Sequence, residues 1–218
     1  MDFIYKLAIL IILFIITFTA FIFFPRGKNY FDYEKKCPEL ELFLDNIEII
    51  KNECINLEFK QWINNNLDNK ISANVIYLFN KLSKDVFKIP NTYNLLTQIP
   101  ELKSCIIFKI SPDTYIKNQR DIIELSNNTI RCFIPLKLST ILKNGLIVND
   151  QIKILQNNNI ILFDNSKNYS IFNKHKYEPT YILSLDIKRS EKIPLGISTI
   201  KKTKKYDELI DNENYFYI

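Results

Sequence analysis

Glycine and histidine are nearly missing from this chain. Three glycines serve 218 residues, so few turns can rest on glycine's access to positive φ, and asparagine is expected to take that role. The single histidine, His175, lies in the polar stretch NKHKYEP, where a solvated imidazole is the ordinary state. One imidazole cannot make a two-histidine metal site, and nothing in the sequence places it beside a cysteine as a nucleophile pair. The four cysteines, Cys37, Cys54, Cys105 and Cys132, form no C-x-x-C pair, which argues against zinc. They are candidate disulfide cysteines in an oxidising compartment and buried thiols in the cytosol. No G-x-S-x-G, H-E-x-x-H, P-loop or G-x-G-x-x-G is present, and no internal repeat.

Charge is absent from one long stretch. Leu7 to Phe24 reads LAILIILFIITFTAFIFF. As a helix it would span roughly 27 Å, close to the hydrocarbon thickness of a bilayer. A cleaved signal peptide should have a shorter apolar region and a small-x-small site, whereas the best site, after Ala20, has Phe18 where a small residue is needed. The run is apolar on every face, unlike an amphipathic core helix. It is therefore expected to be a membrane anchor, making this a single-pass membrane protein. Arg26, Lys28, Lys35 and Lys36 follow the run and only Lys6 precedes it, a bias that favours a cytoplasmic domain.

The remaining chain is long enough for one domain with a sizeable core. Net charge is +5. Much of the excess lies near the C-terminus, in Lys188, Arg189, Lys192, Lys201, Lys202, Lys204 and Lys205. They read as a patch for anionic lipid or nucleic acid or, in preference, as a solvated basic tail; no aromatic residues interleave with these lysines as a single-strand nucleic-acid surface requires, so no nucleic-acid partner is expected. The Asn-, Lys- and Ile-rich composition resembles AT-rich coding, as in some large DNA viruses and protists.

Along the domain, Leu40, Leu44, Ile47, Ile50 and Cys54 recur at helical spacing, predicting a helical region from Glu39 to about Leu67 with Trp62 packed nearby. A second helix is expected from about Ser72 to Lys84, and a third near Tyr93–Ile99 between Pro90 and Pro100. After Pro100 the pattern becomes β: Cys105–Ile110, Thr129–Leu136, Gly145–Val148, Gln151–Leu155, Ile160–Phe163, Ser170–Phe172 and Tyr181–Ile187 are short runs of strand formers separated by turn residues. Helices followed by seven close strands suggest an α+β domain built on an antiparallel sandwich or barrel.

Three segments carry a resemblance. In Asn91–Ile116, Pro112, Thr114 and Ile116 fit a Pro-Gly-Thr-x-Ile turn, with Asp113 in place of glycine. In TIRCFIPL, Ile130 and Arg131 fit a Leu-Arg-x-His-Leu strand, with Phe133 in place of histidine. In FDNSKNYSIFN, Phe163, Asp164, Ser166, Ile171, Phe172 and Asn173 fit Phe-Asp-Asp-Ser-Phe-x-His-Glu-Val-Trp-Asn, and YILSLDI parallels a final strand ending in Asp. From about Cys37 to Asp186 the chain resembles the aspartyl/asparaginyl β-hydroxylases, which are Fe(II)- and 2-oxoglutarate-dependent oxygenases.

That resemblance implies a double-stranded β-helix, a cupin-like jelly roll, with helices packed on it behind an N-terminal transmembrane helix. The implied organisation is an anchor over 1–28, a linker and helical subregion over 29–90, and the β-helix with its basic tail over 91–218. It also implies a lumenal or external domain, which is given slightly more weight here than the flanking charge. Asn127 and Asn168 head Asn-x-Thr and Asn-x-Ser acceptors for that setting.

The two iron-binding histidine positions of the family fall at Gln119 and Tyr169, and a later cosubstrate-binding arginine falls near Thr180. Only Arg131 keeps a 2-oxoglutarate position, as a vestige; Asp164 reads first as a strand-end turn residue and second as a partner for Arg131. The resemblance thus leads to a membrane-anchored, catalytically inactive member with neither metal nor cofactor. It would act through a protein partner, and a viral membrane complex fits the coding bias. The alternative is a live oxygenase using Fe(II) and 2-oxoglutarate with unusual ligands, Tyr169 and Asp164 among them.

Overall fold

In a computed structural model, the protein is described over residues 5–7, 9–15, 27–62, 70–139, 143–211 and 214–217. Residues 5–7 and 9–15 are helical and exposed. The rest of the expected anchor falls outside the described residues, and no described helix is long and apolar enough to cross a membrane.

Two antiparallel sheets build the domain. The larger takes strands β1 (Tyr30–Phe31), β2 (Lys60–Gln61), β3 (Ile71–Leu78), β4 (Lys81–Ser83), β5 (Leu102–Ile110), β7 (Thr129–Lys137), β10 (Ile161–Phe163), β12 (Thr180–Lys188) and β13 (Tyr215–Tyr217). Their order is β1-β10-β7-β12-β5-β3-β4-β13, with β2 also paired to β3. The smaller sheet has four strands, β6 (Thr114–Gln119), β11 (Tyr169–Asn173), β8 (Asn144–Val148) and β9 (Gln151–Ile154), in that order.

Alternation along the strands divides the interior into two cores. In β5, Cys105 and Ile107 join one core while Ile106, Phe108 and Ile110 join the other. In β7, Cys132 and Ile134 belong to the first and Phe133 to the second. The first core is roofed by short helices: α1 (Tyr33–Lys36), α2 (Glu41–Asp45), α3 (Ile47–Cys54) and α4 (Pro90–Leu96). Leu40, Phe43, Ile50 and Cys54 lie under them with no exposure. The second core lies between the sheets, where Phe108, Phe133 and Phe163 meet Ile116, Leu146, Tyr169 and Ile171. This is a jelly-roll-like sandwich with helices on one outer face, the architecture the sequence predicted.

All seven expected strands are present, each within three residues of its predicted bounds. The helical expectations fare less well. The first region breaks into α2 and α3 and ends at Cys54, and Trp62 packs edge-on to Phe108 and Tyr206 in the inter-sheet core rather than on the helical face. The helix expected over Ser72–Lys84 is instead the hairpin β3–β4. Strand β3 is buried on both faces, so its apolar residues run together without the alternation that marks a half-exposed strand. Phe79 and Asn80 turn this hairpin at φ 50° and 62°, the left-handed pair that a two-residue hairpin loop needs. The third helix exists, but Pro90 opens it from the first turn rather than bracketing it.

Asparagine does take glycine's role. Of seven described non-glycine residues at positive φ, four are Asn80, Asn118, Asn149 and Asn158, and Asp113 is another at φ 45°. No described glycine has positive φ.

The stretch 29–90 contributes β1, β3 and β4 to the same sheet that 91–218 completes. In the C-terminal region Lys188, Lys192, Lys201, Lys204 and Lys205 are exposed, as a solvated basic stretch requires, and Arg189 is buried. The backbone there folds back as α5 (Lys204–Ile210) and β13, with Ile193 and Ile210 buried, and β13 pairs with β4. All four cysteines are free and buried in the structure. Burial pushes the Cys37 thiol up to about 11 and that of Cys54 up to about 12, which leaves little reactive thiolate.

Truncating Phe43 to alanine should cost about 3–5 kcal/mol, because a filled site under the helices becomes a cavity. Ile49→Ala on the same layer, at a side chain 46% exposed, should stay within about 0.5 kcal/mol. Urea unfolding midpoints compare the two.

Candidate functional site

The strand register assembles a polar rung inside the sandwich. Ser104 on β5 stands opposite Asp186 on β12, Asp186 opposite Arg131 on β7, and Arg131 opposite Phe163 on β10. Arg131 is 3% exposed and Asp186 not at all. The Arg131 guanidinium meets the Asp186 carboxylate as a two-pronged fork, with Nε donating to Oδ1 at 2.8 Å and Nη2 to Oδ2 at 2.8 Å. Ser104 adds a hydroxyl to Asp186 Oδ2 at 2.5 Å.

A second carboxylate completes the cage. Asp121 Oδ2 lies 2.5 Å from Arg131 Nη1. Tyr169 donates its hydroxyl to Asp121 Oδ1 at 3.0 Å and also lies 3.4 Å from Nη1. Asn165 donates to Asp121 at 2.8 Å, to the Leu125 carbonyl at 2.7 Å and to Asp186 at 3.4 Å. Apolar rings close the space beside this network. Phe163 sits edge-on between Phe133, at 4.9 Å, and Tyr169, at 5.6 Å.

These contacts set the charge states. Burial works against the Arg131 charge, but Asp121 and Asp186 outweigh it and hold the guanidinium more firmly protonated than usual. One guanidinium faces two carboxylates, however. Burial raises the Asp121 pKa above its ordinary 3.8, and the charge of Asp186 adds to that rise against the pull of Arg131. Burial, with Asp121 behind it, also drives the Tyr169 hydroxyl well above 10, so it stays a neutral phenol.

The sequence-derived site residues come together in part. Gln119 and Tyr169, predicted for the two metal positions, are direct cross-strand partners on β6 and β11. Arg131 faces the same interior from the other sheet. His175 does not join them: it lies in the loop beyond the far end of β11, where its Nδ1 accepts from the Tyr177 and Glu178 backbone. Asp164 is not the partner of Arg131. It pairs with Arg189 and accepts from Ser166 N at 3.1 Å and Oγ at 2.6 Å. That corrects two expectations, since Arg189 leaves the basic tail for a buried pair and Asp164 leaves the candidate ligand set. Asp121, Asn165, Ser104 and the role of Asp186 were not read from the sequence. Only the Asp of YILSLDI, Asp186, gave a signal, as a motif position without a partner.

Fe(II) and 2-oxoglutarate do not fit this donor set. Iron of this kind takes imidazole and carboxylate on one face, and here an amide and a neutral phenol stand at the imidazole positions. Among the described residues no group of three His, Cys, Asp or Glu could hold a metal. A cosubstrate carboxylate needs a guanidinium fork to dock on, and the fork of Arg131 is already filled by Asp186.

Replacing Arg131 by leucine should cost about 3–5 kcal/mol, because two buried carboxylates lose their counter-charge. An arginine kept for an external ligand would instead be replaceable at little cost, so chemical denaturation separates the roles. Asp121 also carries a pH signature. With its folded-state pKa raised, the native state keeps a proton that the unfolded chain has released. Its contribution to stability is complete below pH 3.8 and declines as pH climbs from there through the raised value. Asp121→Asn should flatten that component, and the wild-type minus variant difference across pH measures it free of other carboxylates.

A family model described as Aspartyl/Asparaginyl beta-hydroxylase matches residues 44–190. No curated protein matches the chain. Among solved structures, a 2OG-Fe(II) oxygenase-family oxidoreductase from Burkholderia pseudomallei is 11% identical, with 73% of this chain and 82% of that one covered at a TM-score of 0.47. The cupin domain of Schizosaccharomyces pombe Cnp3 is 10% identical, covering 61% and 69% at 0.39. With the family match spanning well over half its length, the chain belongs to the aspartyl/asparaginyl β-hydroxylase family.

Proposed function

We propose that this member of the family has no hydroxylase activity and works by binding, as a β-helix domain held at a membrane by Leu7–Phe24 and presented to a protein partner. The observation that carries this reading is the internal neutralisation of Arg131. Asp186 occupies the guanidinium fork and Asp121 takes a third edge. The protein supplies from its own chain the anion that an oxygenase would leave to its cosubstrate. Phe133, Phe163 and Tyr169 add the bulk that turns a reaction chamber into packed core.

The rival reading, an oxygenase with Tyr169 as ligand, needs a phenolate. A buried phenol donating to Asp121 resists that ionisation. A domain of this kind keeps the stability of the β-helix while its surface takes over the task. The family's hydroxylation of Asp or Asn side chains has no counterpart in the residues available here.

Full-length protein in detergent, reconstituted anaerobically with Fe(II) and 2-oxoglutarate, should retain neither at stoichiometric level by metal analysis and calorimetry. One equivalent of iron that Tyr169→Phe removes would overturn the proposal and make the chain an oxygenase with a phenolate ligand.

A further inference from the structure

After β12 the chain lays down a strap, residues 194–200, over the turn that follows β10. The strap is tied at every step. Arg189 Nη1 donates to the Pro194 carbonyl at 2.9 Å, Gly196 N to Asn127 O at 2.8 Å, and Ile197 N to Ser166 Oγ at 2.9 Å. Ser198 exchanges two bonds with the Asn127 side chain, at 2.8 and 3.0 Å, and Ile123 N donates to Ile200 O at 2.8 Å. Gly196 is needed for this seating. A Cβ there would lie 2.6–2.7 Å from Ser166 Cβ, Asn127 Cα and Ser126 O.

A segment so firmly held could bury its apolar side chains, yet it turns three of them outward. Ser198 is 4% exposed, while Leu195 is 71%, Ile197 61% and Ile200 43% exposed. Three large aliphatic side chains exposed within six residues of one tied strap offer apolar surface for a contact.

The same turn receives the chain from the apolar run. Asp164 N donates to Asn29 O at 3.0 Å, and Lys167 Nζ donates to the carbonyls of Gly27 and Lys28 and, at 3.0 Å, to Asn29 Oδ1. Gly27 follows Phe24 by three residues, which span at most about 11 Å when extended. Ser166 carries the strap and Lys167 carries Gly27–Asn29, so strap and chain entry share one end of the domain. Lys28, Lys192 and Lys201 are exposed along this stretch, against Glu124 and Glu191, a balance that suits an anionic headgroup layer.

We propose that Leu195, Ile197 and Ile200 rest in the interfacial layer of an anionic bilayer, the one that holds Leu7–Phe24, and so fix the tilt of the domain on the membrane. The proposal rests on the anchor reading of Leu7–Phe24. It also orients the molecule: the loop bearing His175 and Tyr177, at the other end of β11, points away from the lipid.

The test uses full-length protein in vesicles of phosphatidylcholine and phosphatidylserine. Ile197→Cys and Tyr177→Cys, both at exposed positions, each carry an environment-sensitive fluorophore. The Ile197 probe should shift to the blue and be quenched by lipids spin-labelled near the headgroup, more so with phosphatidylserine than without. The Tyr177 probe should remain wet and unquenched. If the protein floats with the vesicles while the Ile197 probe is as wet as that at Tyr177, the anchor stands, the lipid contact is refuted, and the strap faces a protein. If the protein does not float with the vesicles, the anchor reading fails and takes the lipid contact with it.

Discussion

The fork between Arg131 and Asp186 is the constraint around which the inter-sheet core is arranged. A guanidinium and two carboxylates inside a sandwich, of which Asp121 alone keeps some exposure, have little water to fall back on, and their neighbours fixed in the register must satisfy them. Asp186 sits across from Arg131 on one side and from Ser104 on the other, so three strands must hold their alignment for the network to close. Asp121 and Asn165 come from connecting segments, which the network ties to the sheets. The charge cluster thereby specifies how the loops meet the strands, while the rings of Phe133, Phe163 and Tyr169 supply the burial.

Much of this architecture was written locally. The strands after Pro100 are short β-branched and aromatic runs between asparagine-rich turns, and that pattern suffices to place all seven. Asparagine's substitution for glycine was likewise visible in composition before any backbone angle was known. The hairpin β3–β4 was not visible, because a strand buried on both faces loses its alternation and ISANVIYL reads equally as an apolar helix face. Thr114–Gln119 was passed over as a strand because it carries lysine, asparagine and glutamine, and only its pairing with β11 makes it β.

The site divides the same way. Gln119, Tyr169 and Arg131 could be set at their positions from motifs alone, and the register brings the first two face to face. Their partners could not be named, because 55 residues separate Arg131 from Asp186 and 48 separate Tyr169 from Asp121. No local pattern encodes such pairs. Arg189 shows the converse error: a cluster of basic residues near one end suggested solvent, whereas the chain reverses there and draws this one inward against Asp164.

The first strand of the larger sheet has a mechanical meaning. β1 is two residues long and pairs only with β10, at an outer edge. Tension arriving along the chain from the Leu7–Phe24 side enters the domain at that strand. Two rungs of an edge strand peel one after another rather than sharing the load, so β1 and the Lys167 clasp on Gly27–Asn29 would part before any interior strand is strained. A pull on the chain ahead of Gly27 thus loads β1 and the Lys167 clasp first, and the interior strands of the jelly roll only after them.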